Sequence, residues 1–285
     1  MGMASLSLQF PDDWPQKVRR LFIVSFILLF AAYLAIVGLL YGAQRQILYP
    51  GAGRSAGAWQ GTEPNYRTIR LRTADGLDLK ALYRPAAPGK STILFFHGNG
   101  DTVAGSRATI GPLTEQGYGA LLAEFRGYAG NPGSPDEQGL YYDGEAAWRW
   151  LIDQGVSSSQ IVVAGYSLGS GVASKVAADG GSAGLIMIAP FESVPQAASQ
   201  HFPWLPAHLM VKDLFATSER IARVKGPILL LHGADDRTVY PSNSVALHRI
   251  RPDATLLILP GQDHLIAFQP EAASAIRGWL ARNRL

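Results

Sequence analysis

Ile161-Val162-Val163-Ala164-Gly165-Tyr166-Ser167-Leu168-Gly169-Ser170-Gly171-Val172-Ala173 is the stretch whose reading decides the fold. A short, β-branched apolar run enters Gly-x-Ser-x-Gly and leaves through small residues suited to a closely packed helix. A strand–turn–helix of this kind holds a serine hydroxyl at the edge of a sheet, and its glycines relieve crowding where the two backbones meet. The pattern alone is weak in a chain of 31 glycines, and it occurs three times, at 53–57, 165–169 and 180–184. Only the middle copy has a strand pattern before it and a helix pattern after it. The first lies in an irregular lead-in, and the third in a loop between a helix and a strand. Ser167 is therefore the candidate nucleophile.

Working outward, Tyr66–Arg72 and Leu77–Tyr83 flank Ala74-Asp75-Gly76, a hairpin signal. Thr92–Phe96, Gly119–Phe125, Ile161–Ala164, Leu185–Ala189, Ile228–Leu231 and Thr255–Leu259 are short and almost wholly apolar. Continuous apolarity, rather than alternation, predicts strands covered on both faces, as in a parallel sheet. Helical patterns occupy Glu137–Gln154, Ser167–Ala178, Ser242–Arg249 and Glu271–Arg282. The expected architecture is α/β: two antiparallel strands lead into a mostly parallel, helix-flanked sheet, all in one domain over residues 66–285. Residues 191–226 break the rhythm with Pro195, Pro203 and Pro206, which predicts a small helical cap over the sheet's carboxyl edge. Its Phe202, Trp204 and Leu205 suggest an apolar, acyl-binding pocket.

A serine hydroxyl needs a neighbouring base, and the base needs a carboxylate to orient it. On a strand–serine–helix scaffold the order along the chain is Ser, then Asp or Glu, then His. Two histidines qualify by order. His248 falls within a helical run, whereas His264 sits in the loop Pro260-Gly261-Gln262-Asp263-His264 directly after a strand pattern. His264 is the candidate base. Ile228–Leu231 leads into His232-Gly233-Ala234-Asp235-Asp236, and the spacing favours Asp236 over Asp235 as the acid. Phe95-Phe96-His97-Gly98-Asn99-Gly100 ends an early strand in a glycine-rich turn, where a backbone N–H can face a developing oxyanion. Asn99 and Leu168 are the assigned donors, with Gly100 as an alternate to Asn99. His97 precedes the serine and reads as a residue that holds the turn.

Composition narrows the field. The chain has 285 residues, a net charge of +3 without like-charge blocks, and no cysteine. A nucleic-acid surface is not indicated, and thiolate metal sites, disulfides and cysteine nucleophiles are excluded. The serine mechanism requires no metal and no cofactor. Between Arg20 and Arg45 lie 24 uncharged residues, beginning Leu21-Phe22-Ile23-Val24. Residues 21–43 are long enough for a transmembrane anchor, preceded by a leader (1–20) and followed by a Gly/Ala/Pro-rich lead-in (44–65). A cleaved signal peptide fits less well, because the apolar run is too long and no small-x-small site ends it. Lys17, Arg19 and Arg20 precede the span while Arg45 and Arg54 follow it, so the positive-inside rule points to a cytoplasmic N-terminus and a periplasmic or otherwise extracytoplasmic domain.

Several motifs together resemble the Bem46-like group of α/β-hydrolases, relatives of the membrane-associated ABHD13 and ABHD17 hydrolases. They are His97-Gly98-Asn99-Gly100, Glu124-Phe125-Arg126-Gly127-Tyr128, Gly133-Ser134-Pro135, Gly139-Leu140-Tyr141-Tyr142-Asp143, Gly165–Gly169, Phe202-Pro203-Trp204-Leu205-Pro206, Lys212-Asp213-Leu214-Phe215 and His232–Asp236. The resemblance runs from about residue 44 to the C-terminus and implies a Ser-Asp-His hydrolase of ester, thioester or related acyl bonds, with lipid-derived substrates suiting the anchor. Gln262-Asp263 before the base and Asp101 after the glycine-rich turn depart from the family pattern. An amidase or peptidase with the same triad, and a tethered binding protein on an inactive hydrolase fold, are the other readings left open.

Overall fold

Every residue of Thr92–Phe96 (β3), Gly119–Ala123 (β4), Ile161–Tyr166 (β5), Gly184–Ile188 (β6) and Ile228–Gly233 (β7) is buried in the computed structural model, which describes residues 15–54, 59 and 65–285. Unbroken apolar runs form strands buried on both faces because neither face can be left to water. Arg67–Arg72 (β1) and Asp78–Arg84 (β2) precede them, and Thr255–Leu259 (β8) follows. The eight strands order β1-β2-β4-β3-β5-β6-β7-β8. β1 pairs antiparallel with β2 and β2 with β4, while every other pair is parallel. β8 is as apolar as its neighbours yet only half-buried, because it has one neighbour instead of two.

The helices begin with Gln16–Leu48 (α1), followed by Val103–Thr114 (α2), Glu137–Asp153 (α3) and Leu168–Gly180 (α4). Three short ones, Val194–His201 (α5), Ala207–Met210 (α6) and Thr217–Ile221 (α7), make up the insertion between β6 and β7. Ser242–Ile250 (α8) and Pro270–Arg282 (α9) complete the set. Prolines at 203 and 206 interrupt the insertion and keep its helices short. α2 has no counterpart in the periodicity, because Gly105, Gly111 and Pro112 dilute the pattern. Its legible signal is Thr102, whose hydroxyl caps the Ala104 N–H.

Two compact units are present, residues 1–44 and 45–285. In the first, α1 exposes Leu21, Phe22, Val24, Leu28, Leu29 and Leu39, and the helix has a mean hydropathy of 2.7 over its most apolar window. It is long and apolar enough to cross a membrane. In the second, the stretch that reads as a loose lead-in is partly built into the domain. Tyr49 is buried in the same core cluster as Tyr128 and Phe215, and the Gly53 N–H donates to the Gly127 carbonyl at 2.8 Å. The leader through residue 14, residues 55–58 and 60–64 of the lead-in, and with them the serine of the first Gly-x-Ser-x-Gly copy, lie outside the described residues.

Candidate active site

Ser167 stands between β5 and α4 with φ 49° and ψ −118°, a left-handed conformation that an L-residue adopts only when its surroundings impose it. The imposition comes from close backbone packing. A Cβ at Gly169 would overlap the Phe96 carbonyl oxygen, and one at Gly165 would overlap the Gly169 carbonyl. The Ser167 N–H donates to the Ile188 carbonyl at the end of the next strand, 2.9 Å away, which pins the turn to the sheet.

The carboxyl ends of the parallel strands lie level: Phe96 pairs with Gly165, Tyr166 with Ile188 and Gly233 with Leu259. The loops after β3, β5, β7 and β8 therefore emerge on one edge. They carry Asn99, Ser167, Asp236 and His264. His264 Nε2 lies 3.1 Å from Ser167 Oγ, and His264 Nδ1 lies 2.7 Å from Asp236 Oδ2. Ser167 is buried to 8% exposure, while the His264 side chain keeps 17% and Leu265 beside it 54%. The arrangement reaches the surface through the His264 loop.

Asp236 is buried, and burial by itself would raise its pKa. His232, His264 and the Val239 N–H outweigh that, so the carboxyl is held well below the usual carboxylate range. Oδ1 accepts from the Thr238 and Val239 N–H groups at 2.8 and 2.9 Å, and Oδ2 faces His264 and, at 3.2 Å, His232 Nε2. His232 Nε2 also faces the Val239 carbonyl at 2.8 Å and therefore carries its hydrogen, leaving Nδ1 to accept from the Ser244 hydroxyl at 2.7 Å. Asp235 takes no part in these contacts. His232 enters the sequence reading only as part of a motif; it lies within β7, next to the strand's last residue, and is fully buried.

Two more supports flank the site; the first has no counterpart in the sequence reading, and the second is the turn-holding histidine expected there. The Tyr166 hydroxyl donates to the His264 carbonyl at 2.9 Å, and its ring lies 5.4 Å from the imidazole, so the residue before Ser167 steadies His264. His97 holds its turn through Nδ1 to the Gly98 carbonyl and Nε2 to Glu124 Oε1, both at 2.7 Å. Burial would lower the pKa of His97, but the Glu124 carboxylate prevails and raises it. The other Glu124 oxygen accepts the Val103 N–H at 2.9 Å, at the start of α2.

A Cβ placed on Gly98 would lie 3.6 Å from Ser167 Cβ, so the glycine-rich turn abuts Ser167. The Asn99 N–H donates to no acceptor among the described residues. Leu168 opens α4, so its N–H has no intrahelical acceptor. Asp101, just after this turn, is partly buried, and burial raises the pKa of its carboxyl.

Phe202 and Trp204 lie just past α5, edge to face at 6.4 Å, and are about half exposed; Leu205 is half-buried. They form an open apolar patch rather than an enclosed pocket. The insertion meets the acid's loop where His201 Nε2 approaches the Thr238 carbonyl at 2.9 Å. No cluster of three or more metal-ligating side chains occurs among the described residues.

No protein-family model matches the chain. It is similar to an uncharacterized protein of Mycobacterium tuberculosis, 33% identical over 258 residues, covering 87% of this chain and 89% of that one. Bem46 of Schizosaccharomyces pombe is 29% identical over 236 residues, 76% of this chain and 78% of Bem46. The lysophosphatidylserine lipase ABHD12 of Danio rerio is 28% identical over 212 residues, 67% of this chain and 54% of the lipase. Among solved structures, an esterase of Pyrococcus furiosus superposes with a TM-score of 0.66 at 22% identity, over 81% of this chain and 96% of the esterase. With the sheet order, the elbow and these relatives together, the chain belongs to the α/β-hydrolase family, among the Bem46-like proteins.

Proposed function

We propose that this protein is a membrane-anchored serine hydrolase of carboxylic ester or thioester bonds. The observation that carries the reading is the hydrogen-bonded relay from Ser167 through His264 to Asp236, at 3.1 and 2.7 Å, on a strained turn. In this reading Ser167 Oγ attacks the acyl carbonyl while His264 Nε2 takes its proton, and Asp236 orients the imidazole and stabilises its charged form. The Asn99 and Leu168 N–H groups receive the oxyanion, each worth about 3–4 kcal/mol of barrier. His264 then protonates the leaving alcohol or thiol, and water repeats the sequence on the acyl-enzyme. No step calls on a cofactor.

A lipid-derived acyl substrate fits the open patch at Phe202, Trp204 and Leu205 and the apolar helix α1. ABHD12, a lysophosphatidylserine lipase by name, is consistent with that class. The charge bias around α1 favours a cytoplasmic N-terminus with the catalytic domain on the other side; protease added to spheroplasts should digest the domain, and full protection there would reverse the orientation. For the chemistry, the full chain should label with a fluorophosphonate probe and hydrolyse acyl esters, and Ser167→Ala should lose both. Undiminished labelling of Ser167→Ala would remove Ser167 from the role.

A further inference from the structure

Asn99 is held by the part of the chain that immediately follows the apolar helix. Its side-chain amide nitrogen donates to the Leu48 carbonyl at 3.1 Å, and Leu48 is the last residue of α1. Its own carbonyl accepts from the Gly51 N–H at 3.2 Å and from the Tyr128 hydroxyl at 2.9 Å. These contacts hold the Asn99 side chain and its carbonyl, on the other side of the Cα from the N–H that remains unengaged near Ser167. The segment is itself fixed. Tyr49 is 2% exposed and donates its hydroxyl to Asp213 Oδ2 at 3.0 Å, and Arg45 Nε lies 3.3 Å from the same carboxylate. Four residues after Tyr49, the Gly53 N–H reaches the Gly127 carbonyl. Gly51 fits against the turn only because it lacks a Cβ, which would overlap the Tyr128 ring and stand 2.9 Å from the Asn99 carbonyl oxygen.

We infer that Leu48–Gly53 is a positioning element of the active site, acting through Asn99; the inference rests on the hydrolase reading above. An oxyanion donor is effective only where the developing charge will be, so a tether that fixes the orientation of Asn99 acts on the transition state and leaves substrate affinity alone. The domain is then catalytically incomplete if it is cut at residue 66, where the first strand pattern begins, even though every triad residue would be retained.

The test compares the full chain in detergent or nanodiscs with Gly51→Ala, which drives a methyl into the Tyr128–Asn99 contact, and Asn99→Ala, which keeps the backbone N–H but releases Leu48. Displacement of a catalytic group by about 1 Å can cost roughly 10²-fold, so kcat should fall about 10- to 100-fold with KM within about twofold. Affinity for a trifluoromethyl ketone, whose hemiketal oxyanion occupies the same position, should fall by the same factor. The acid limb of the pH–rate profile, which reports the base, should stay in place. If Gly51→Ala does not fold, Asn99→Ala carries the comparison. Unchanged kcat and ketone affinity in folded variants would overturn the inference while leaving the hydrolase intact. A wild-type chain that neither turns over esters nor labels at Ser167 would remove the hydrolase reading and this inference with it.

Discussion

Replacing Asp236 by Asn changes one atom, and its consequence can be worked out from the groups around the carboxylate. Thr238 and Val239 present two backbone N–H donors to Oδ1. An amide oxygen can accept both; an amide nitrogen can accept neither. Turning the nitrogen toward them would orphan two buried donors at about 1–3 kcal/mol each, so the oxygen stays and the NH2 faces His264 Nδ1. At only 2 kcal/mol, about one molecule in 30 would hold the opposite orientation. The NH2 then donates to Nδ1, the imidazole hydrogen moves to Nε2, and Nε2 points a hydrogen at Ser167 Oγ instead of accepting one. The negative charge that stabilises the imidazolium is also lost. Together these effects should lower kcat by about 10⁴, near 5.4 kcal/mol of barrier. The assay is ester turnover by the full chain, with circular dichroism to show that the variant is folded. Because the Asp236 carboxyl is held well below the usual carboxylate range, its own protonation should not contribute to the wild-type acid limb. A folded Asp236→Asn enzyme within tenfold of wild type would refute the tautomer argument.

Other outcomes follow from the same geometry. Gly169→Ala forces a methyl against the Phe96 and His97 carbonyls and should cost about 1–3 kcal/mol of stability; a melting temperature equal to wild type would mean that the strand–helix contact yields more easily than its packing indicates. Glu124→Gln leaves the buried His97 without its carboxylate and should destabilise by about 3–5 kcal/mol, read as a lower urea midpoint at constant m-value. The hydrogen bond from Arg126 holds Asp75 at about 2. A depressed carboxyl stabilises the fold above its unfolded value near 3.8 and loses that effect as the pH falls through its folded value. Asp75→Asn should therefore lower the melting temperature at pH 7 and match wild type near pH 2, and an equal deficit at both would contradict the pairing.

The sequence by itself determined the element types, the sheet's parallel character and the identities of the candidate serine, base and acid. Wholly apolar runs are chemically committed to burial, and a serine between glycines after such a run has few other uses. α2 is not legible in the sequence because Gly105, Gly111 and Pro112 carry low helix propensity, which packing against β4 and the Thr102 cap overrides. What surrounds the candidate site was decided by tertiary structure alone. Gly-x-x-Asp-x-x-Val ranks Asp236 above Asp235, yet only the folded loop turns one carboxylate toward two imidazoles and two N–H groups and leaves the other out. Leu48 and Asn99 stand 51 positions apart, as do Asp75 and Arg126, and no local pattern records that they meet. A hydrogen bond across such a separation depends on where the whole sheet delivers its loops, whereas a hydrophobic period depends only on neighbours along the chain.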